Sequence, residues 1–191
     1  MGAGPFLIGI SGLSGAGKST TTTMLAALSG GKSVYVGQVV LDELTARGLE
    51  QTRENERMVR LEIREQEGGA GLLLRKRNEI LSALANGQSV FVDAVLSPDE
   101  WFELERMHEL GTRLLIIDAD FETRAARLTA RSTRPFSRDD LRRRDETEQS
   151  ALRIEDLDKD ASVRIENMGL IDHLQRCLAG FLHDIDLPQL T

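Results

Sequence analysis

A three-layer α/β sandwich, one five-stranded parallel sheet covered by helices on both faces, is the fold class this sequence predicts. Five short apolar runs recur along the chain, and segments of helical spacing separate them. A glycine-rich motif, Gly12 to Ser19, stands between the first run and the first helical segment. Strands that are apolar through their length and alternate with helices pair in parallel and are buried on both faces.

The predicted strands are Phe6 to Ile10, Ser33 to Val36, Ser89 to Val92, Arg113 to Ile117 and Ser162 to Ile165. The helical segments are Lys18 to Leu28, Val39 to Ala46, Arg53 to Ala85, Pro98 to Glu109, Phe121 to Arg131, Arg138 to Leu152 and Leu170 to His183. Ser97-Pro98 opens a helix with Asp99 and Glu100 in its first turn, and Asn86-Gly87 and Gly111 stop helices before the next strands. Gly68-Gly69-Ala70-Gly71 is expected to break the long central segment into two helices.

The chain has 191 residues, 40% of them apolar, which suits a single domain with its own core. Its net charge is -7, which argues against broad capture of nucleic acid. Cys177 is the one cysteine, and His108, His173 and His183 are scattered, so neither a disulfide framework nor a cysteine-histidine zinc site is indicated. The run at Phe6 to Ile10 is too short to span a membrane, no basic leader with a cleavage site precedes it, and Phe6 spoils a myristoylation signal at Gly2. Cytoplasm is the expected compartment. The oligomeric state is open, a homodimer included.

Gly12-Leu13-Ser14-Gly15-Ala16-Gly17-Lys18-Ser19 fits G-x-x-x-x-G-K-[ST], the P-loop. The glycines let backbone N–H groups point inward, and the positive end of the following helix adds to their attraction for phosphate. This predicts ATP and Mg²⁺ as ligands, held by residues 12–19 and Thr20. Lys18 is expected on the β- and γ-phosphates and the Ser19 hydroxyl on the metal. Asp93 ends the third strand, at the carboxyl edge where such sheets bind ligands, and is the second expected metal residue. Asp118 and Asp120 are read as caps of the next helix.

Two arginine rows follow. Arg124, Arg127 and Arg131 fall at i, i+3 and i+7, with Arg134 and Arg138 around Pro135. Such a row can clamp a transferring phosphoryl group, or form salt bridges with neighbours such as Glu122. Arg53, Arg57, Arg60 and Arg64 keep i, i+4, i+7, i+11 spacing and can hold an anionic acceptor, or pair with Glu50, Glu54, Glu56 and Glu62.

These residues, with Val36-Gly37, the stretch Arg47 to Asn55, Val92-Asp93 and Arg144-Asp145-Glu146, resemble the P-loop nucleoside monophosphate kinase superfamily over nearly the whole chain. The branch most similar is that of adenylate-kinase-like and dephospho-coenzyme A kinase-like proteins. The resemblance implies sheet order 2-3-1-4-5, a helical acceptor-binding region at about 38–86 and a lid at about 131–145. It implies catalytic roles for Lys18, Arg127, Arg131 and Arg134, a place near the adenine for Asn167, and acceptor contacts at Gln38, Arg53, Arg57 and Arg64. The reaction implied is transfer of the γ-phosphoryl of ATP to a nucleotide or nucleotide-like acceptor. Two departures fall on the acceptor side. Gln38 and Leu41 stand where related kinases carry aspartate and arginine after Gly37, and Asp93-Ala94-Val95-Leu96 replaces the usual Asp-Gly-x-Arg. The P-loop also resembles that of adenylylsulfate kinases, without their Asp-Gly-Asp motif. A nucleotide-dependent regulatory ATPase is the alternative from another class.

Overall fold

The middle of the sheet is β1 (Leu7–Ser11), whose five residues are all buried. It pairs in parallel with β3 (Val90–Asp93) on one side and β4 (Thr112–Asp118) on the other. Outside these lie β2 (Lys32–Tyr35) and β5 (Val163–Glu166), so the order is β2-β3-β1-β4-β5, the order the family resemblance implies. The chain is described here by a computed structural model over residues 4–108, 111–131 and 136–185.

Alternation along the strands sends side chains to two cores. Leu7, Val90, Val92, Leu114 and Ile116 face one core, and Ile8, Ile10, Phe91, Leu115 and Ile117 face the other. The first core is covered by α2 (Gln38–Ala46), α3 (Arg53–Glu67), α4 (Gly71–Leu74), α5 (Arg77–Ala85) and α6 (Pro98–Met107). The second is covered by α1 (Lys18–Ser29) and α9 (Ile171–Asp184). A third, small cluster joins Ala125 and Leu128 of α7 (Phe121–Thr129) to Leu141 of α8 (Arg138–Glu146).

Local chemistry fixes the ends. The Ser97 hydroxyl accepts from Glu100 N at the start of α6, Asp120 accepts from Thr123 N at the start of α7, and Ser137 and Asp140 form a capping box at the start of α8. The glycine cluster breaks the central segment as expected, but into three helices, since Arg75 and Lys76 end the short α4 before α5 begins. The expected helix over Arg138 to Leu152 ends as an α-helix at Glu146 and continues as a π turn, Thr147–Ala151. A 3₁₀ segment, Ile154–Asp160, then leads to β5 and was not anticipated.

Candidate functional site

The P-loop closes over the carboxyl end of β1 because its glycines adopt conformations that other residues resist. Gly12, Gly15 and Gly17 have φ of 136°, 89° and 112°. A side chain at Gly12 would run into the Ile117 carbonyl of β4, and one at Gly17 into the Asn167 amide. The loop therefore sits directly against the sheet. From Lys18 onward the chain is helical, which brings the N-terminus of α1 to the loop and the dipole's positive end with it.

Lys18 folds back into the loop, where its ammonium donates to Gly12 O at 2.7 Å and Leu13 O at 3.1 Å. Burial pulls its pKa below the ordinary lysine value, against the raising effect of the carboxylates of Glu148 and Asp93. Asp93 ends β3 beside Ile10 of β1 and is itself buried. Ser19 and Thr20 lie exposed at the first turn of α1. A hydroxyl and a carboxylate, completed by phosphate oxygens and water, form an all-oxygen set of the kind magnesium takes, so these residues fit the ion. Among the described residues no group of three or more histidine, cysteine or acidic side chains forms a metal site by itself.

Arg124 and Arg127 hold the loop from behind. The Arg124 side chain, 5% exposed, donates from Nη1 to Ser14 O at 3.1 Å and from Nε to Ala119 O at 3.1 Å, and forms a bidentate pair with Asp145 at 2.8 Å for each bond. Arg127 donates to Ala16 O at 3.3 Å and to Asn167 O at 2.7 Å. Asn167, buried at the end of β5, donates from Nδ2 to the same Ala16 carbonyl at 2.8 Å. Arg127 and Asn167 thus meet at the loop's back. Arg131 is exposed just beyond α7, and Arg134 lies outside the described residues.

Sequence reasoning passed over Glu148 on the π turn. It is fully buried, accepts from Ser14 N at 3.0 Å and Ser14 Oγ at 2.8 Å, and pairs with Arg144 Nε at 2.7 Å. Burial raises its pKa, but Lys18, Arg144 and the Ser14 donors outweigh that and hold it below the usual glutamate value. A signal was present. Leu141 is the sole apolar residue of α8, and Arg144 and Glu148 follow it at i+3 and i+7, on the same inward face.

The α3 row divides. Arg53 pairs with Asp140 at 2.7 Å and lies over the Phe136 ring at 4.1 Å. Arg57 is exposed. Arg60 pairs with Glu56 at 2.9 Å, and burial together with the nearby charge of Arg144 lowers its pKa. Arg64 lies 3.6 Å from the buried carboxylate of Glu100, whose pKa burial raises, although Leu96 N donates to it at 2.7 Å. Gln38, at the start of α2, is exposed and donates to Asp42 at 2.8 Å.

Residues 8–151 match the model of the AAA domain family. A UPF0200 protein of Hyperthermus butylicus is 34% identical over 151 residues, 77% of each chain. One from Aeropyrum pernix is 34% identical over 113 residues, 58% of this chain and 56% of the relative. Among solved structures, a sugar kinase from Janibacter superposes with TM-score 0.64 at 18% identity, covering 96% of this chain and 95% of that one. A shikimate kinase from Bacteroides thetaiotaomicron gives TM-score 0.61 at 14% identity, covering 95% and 99%. At those identities the structures show a shared fold. The match across residues 8–151 and the 34% identity to the Hyperthermus butylicus relative show that the chain belongs to the AAA domain family and to the UPF0200 proteins, with a P-loop kinase-like fold.

Proposed function

We propose that this protein is a kinase that transfers the γ-phosphoryl of ATP, with Mg²⁺, to an anionic nucleotide or nucleotide-like acceptor. The observation that carries the reading is the placement of Lys18 in a braced P-loop, with Asp93 at the adjoining strand end and the cations Arg60 and Arg144 close enough to influence each other. A binding site for ATP alone has no need of a cation from the α3 side. The sugar and shikimate kinases of the same fold are named for small-molecule acceptors, which is consistent with such a reaction here.

In this reading the loop N–H groups and Lys18 hold the β- and γ-phosphates, and Ser19 and Asp93 hold the metal. Magnesium would supply charge neutralisation across the phosphate oxygens. An acceptor oxygen forms the new bond to the γ-phosphorus, the bond to the β,γ-bridging oxygen breaks, and its electron pair leaves with ADP. Guanidinium groups beside the γ-phosphoryl offset the negative charge spread over its oxygens. The protein contributes position and charge.

The test is ADP release with ATP, Mg²⁺ and a panel of nucleotides, nucleotide-containing metabolites, sugar acids and small carboxylates. Acceptor-dependent release is expected, and Lys18→Ala should lower it by about 10²-fold or more. A slow release that no acceptor changes would favour a regulatory ATPase. Wild-type turnover by a folded Lys18→Ala protein would overturn the assignment of the loop.

A further inference from the structure

Every polar atom of Ser14 is engaged by side chains of α7 and of the π turn that follows α8. Its N–H and hydroxyl donate to Glu148, and its carbonyl accepts from Arg124, which Asp145 in turn grips with two bonds. Ser14 stands in the middle of the P-loop, so the loop's shape at that point is set from α8 and the π turn after it. Glu148 lies within this π turn, and such turns recur at functional sites.

Glu148 also faces the other way. The oxygen that accepts from the Ser14 hydroxyl accepts from Arg144 Nε as well. Among the described residues the two terminal nitrogens of Arg144 make no hydrogen bond, and its side chain is 27% exposed. Its charge acts on both Lys18 and Arg60. One buried carboxylate therefore fixes the loop and aims a guanidinium fork whose outer face is left for an oxyanion.

Resting on the nucleotide-binding reading above, we propose that Glu148 is a positioning residue that joins the P-loop to Arg144, so that loop and guanidinium form one preset surface for the γ-phosphate. A carboxylate suits this place because all three of its partners are donors. A glutamine can still accept from Ser14, but it must turn its own NH₂ toward one of those donors. Glu148→Gln thus weakens the joint with little change of volume.

The consequence is a preference for the triphosphate over the diphosphate that passes through Glu148. Affinities of the wild type, Glu148→Gln, Arg144→Ala and the double variant are measured for ADP and for a non-hydrolysable ATP analogue with Mg²⁺. The expected result is that the wild type binds the analogue more tightly than ADP, and that each single variant lowers this preference by about 10-fold, the size of one charge-assisted contact. ADP affinity should move much less. The double variant should lose no more than either single one, because both remove the same contact. Additive losses, or an unchanged preference in folded Glu148→Gln, would overturn the proposal and leave Glu148 a purely structural residue. Should Glu148→Gln fail to fold, Arg144→Ala decides: an intact preference there overturns the proposal equally. Failure of the wild type to bind either nucleotide is a different outcome and removes the proposed function itself.

Discussion

Two helices of this protein carry arginines at nearly the same spacing, and the fold uses them in opposite ways. On α7, Arg124 and Arg127 turn inward and hold backbone carbonyls of the P-loop. On α3, the row runs from Arg53, paired with Asp140, through Arg60, paired with Glu56, to Arg64 at a buried glutamate. The difference lies in what each helix packs against. α7 lies behind a glycine-rich loop whose carbonyls need donors, whereas α3 covers its core with Val59 and Ile63 and pairs its arginines with the carboxylates of Asp140, Glu56 and Glu100. Spacing brings residues to one face of a helix; the neighbour of that face decides what they do.

The contrast is sharpest at Arg124. Replacing it with alanine leaves the half-buried Asp145 without its cation and Ser14 O and Ala119 O without a donor. Arg124→Ala should therefore destabilise the fold by about 3–5 kcal/mol, the usual cost of breaking a buried pair from one side. Chemical denaturation measures it. If Arg124 were a surface cation, the loss would stay within about 1 kcal/mol. Asp145→Ala should cost much less on the Arg124→Ala background than alone, which a double-mutant cycle reads directly.

Arg127 should come next. Its removal takes donors from Ala16 O and Asn167 O, but Ala16 O keeps the Asn167 amide. The expected destabilisation of Arg127→Ala is about 1–3 kcal/mol, with weaker nucleotide binding because the loop loses a support. A variant of unchanged stability that loses turnover alone would instead place Arg127 at the transferring phosphoryl group.

The fold was legible because its signals were local and agreed. Apolar runs of strand length, a P-loop at a strand-helix junction and caps such as Ser97 and Asp120 each point to the same parallel sheet. The site was legible only where its chemistry is contiguous in sequence. Lys18 and Ser19 lie in one motif, but Glu148 is 134 residues from Ser14 and stands among many acids, so that its register with Leu141 is its one sequence mark. The roles of Arg124 and Asn167 were hidden for a related reason. Both act on loop carbonyls, and which carbonyls lack a donor is set by tertiary packing. The break of α8 into a π turn had no signal in composition, because Thr147–Ala151 holds no glycine or proline.

On the α3 side, Arg60→Ala takes a cation from the buried carboxylate of Glu56 and should lose about 1–3 kcal/mol of stability. It should also raise the acceptor KM by about 10-fold, the cost of one charge-assisted hydrogen bond, while ATP affinity holds. Steady-state kinetics with the acceptor found by the ADP-release panel measure this. Equal losses of ATP and acceptor binding would mean that Arg60 serves both halves of the site, and the division between the two rows would fail.

Arg53 should give the smallest effect of the four. Its partner Asp140 is already held by Ser137 and Arg143, and these bonds, with that from Arg53, draw its pKa below the ordinary aspartate value of 3.8. Losing one of several donors leaves that carboxylate supported, and Arg53 is 40% exposed, so water replaces much of what it loses. A folded pKa below the unfolded one means that the stabilisation is present above the unfolded value and is lost as pH falls through the folded value. The small drop in Tm caused by Arg53→Ala should therefore be the same at pH 5 as at pH 7. It should shrink in salt, since charges this exposed are screened over about 10 Å at 0.1 M. The Phe136 ring adds a contact that salt screens less, so a residual salt-resistant drop belongs to stacking. A drop as large as that of Arg124→Ala would show that α3 is tied to α8 as firmly as α7 is to the loop. The two rows would then differ in position and not in kind.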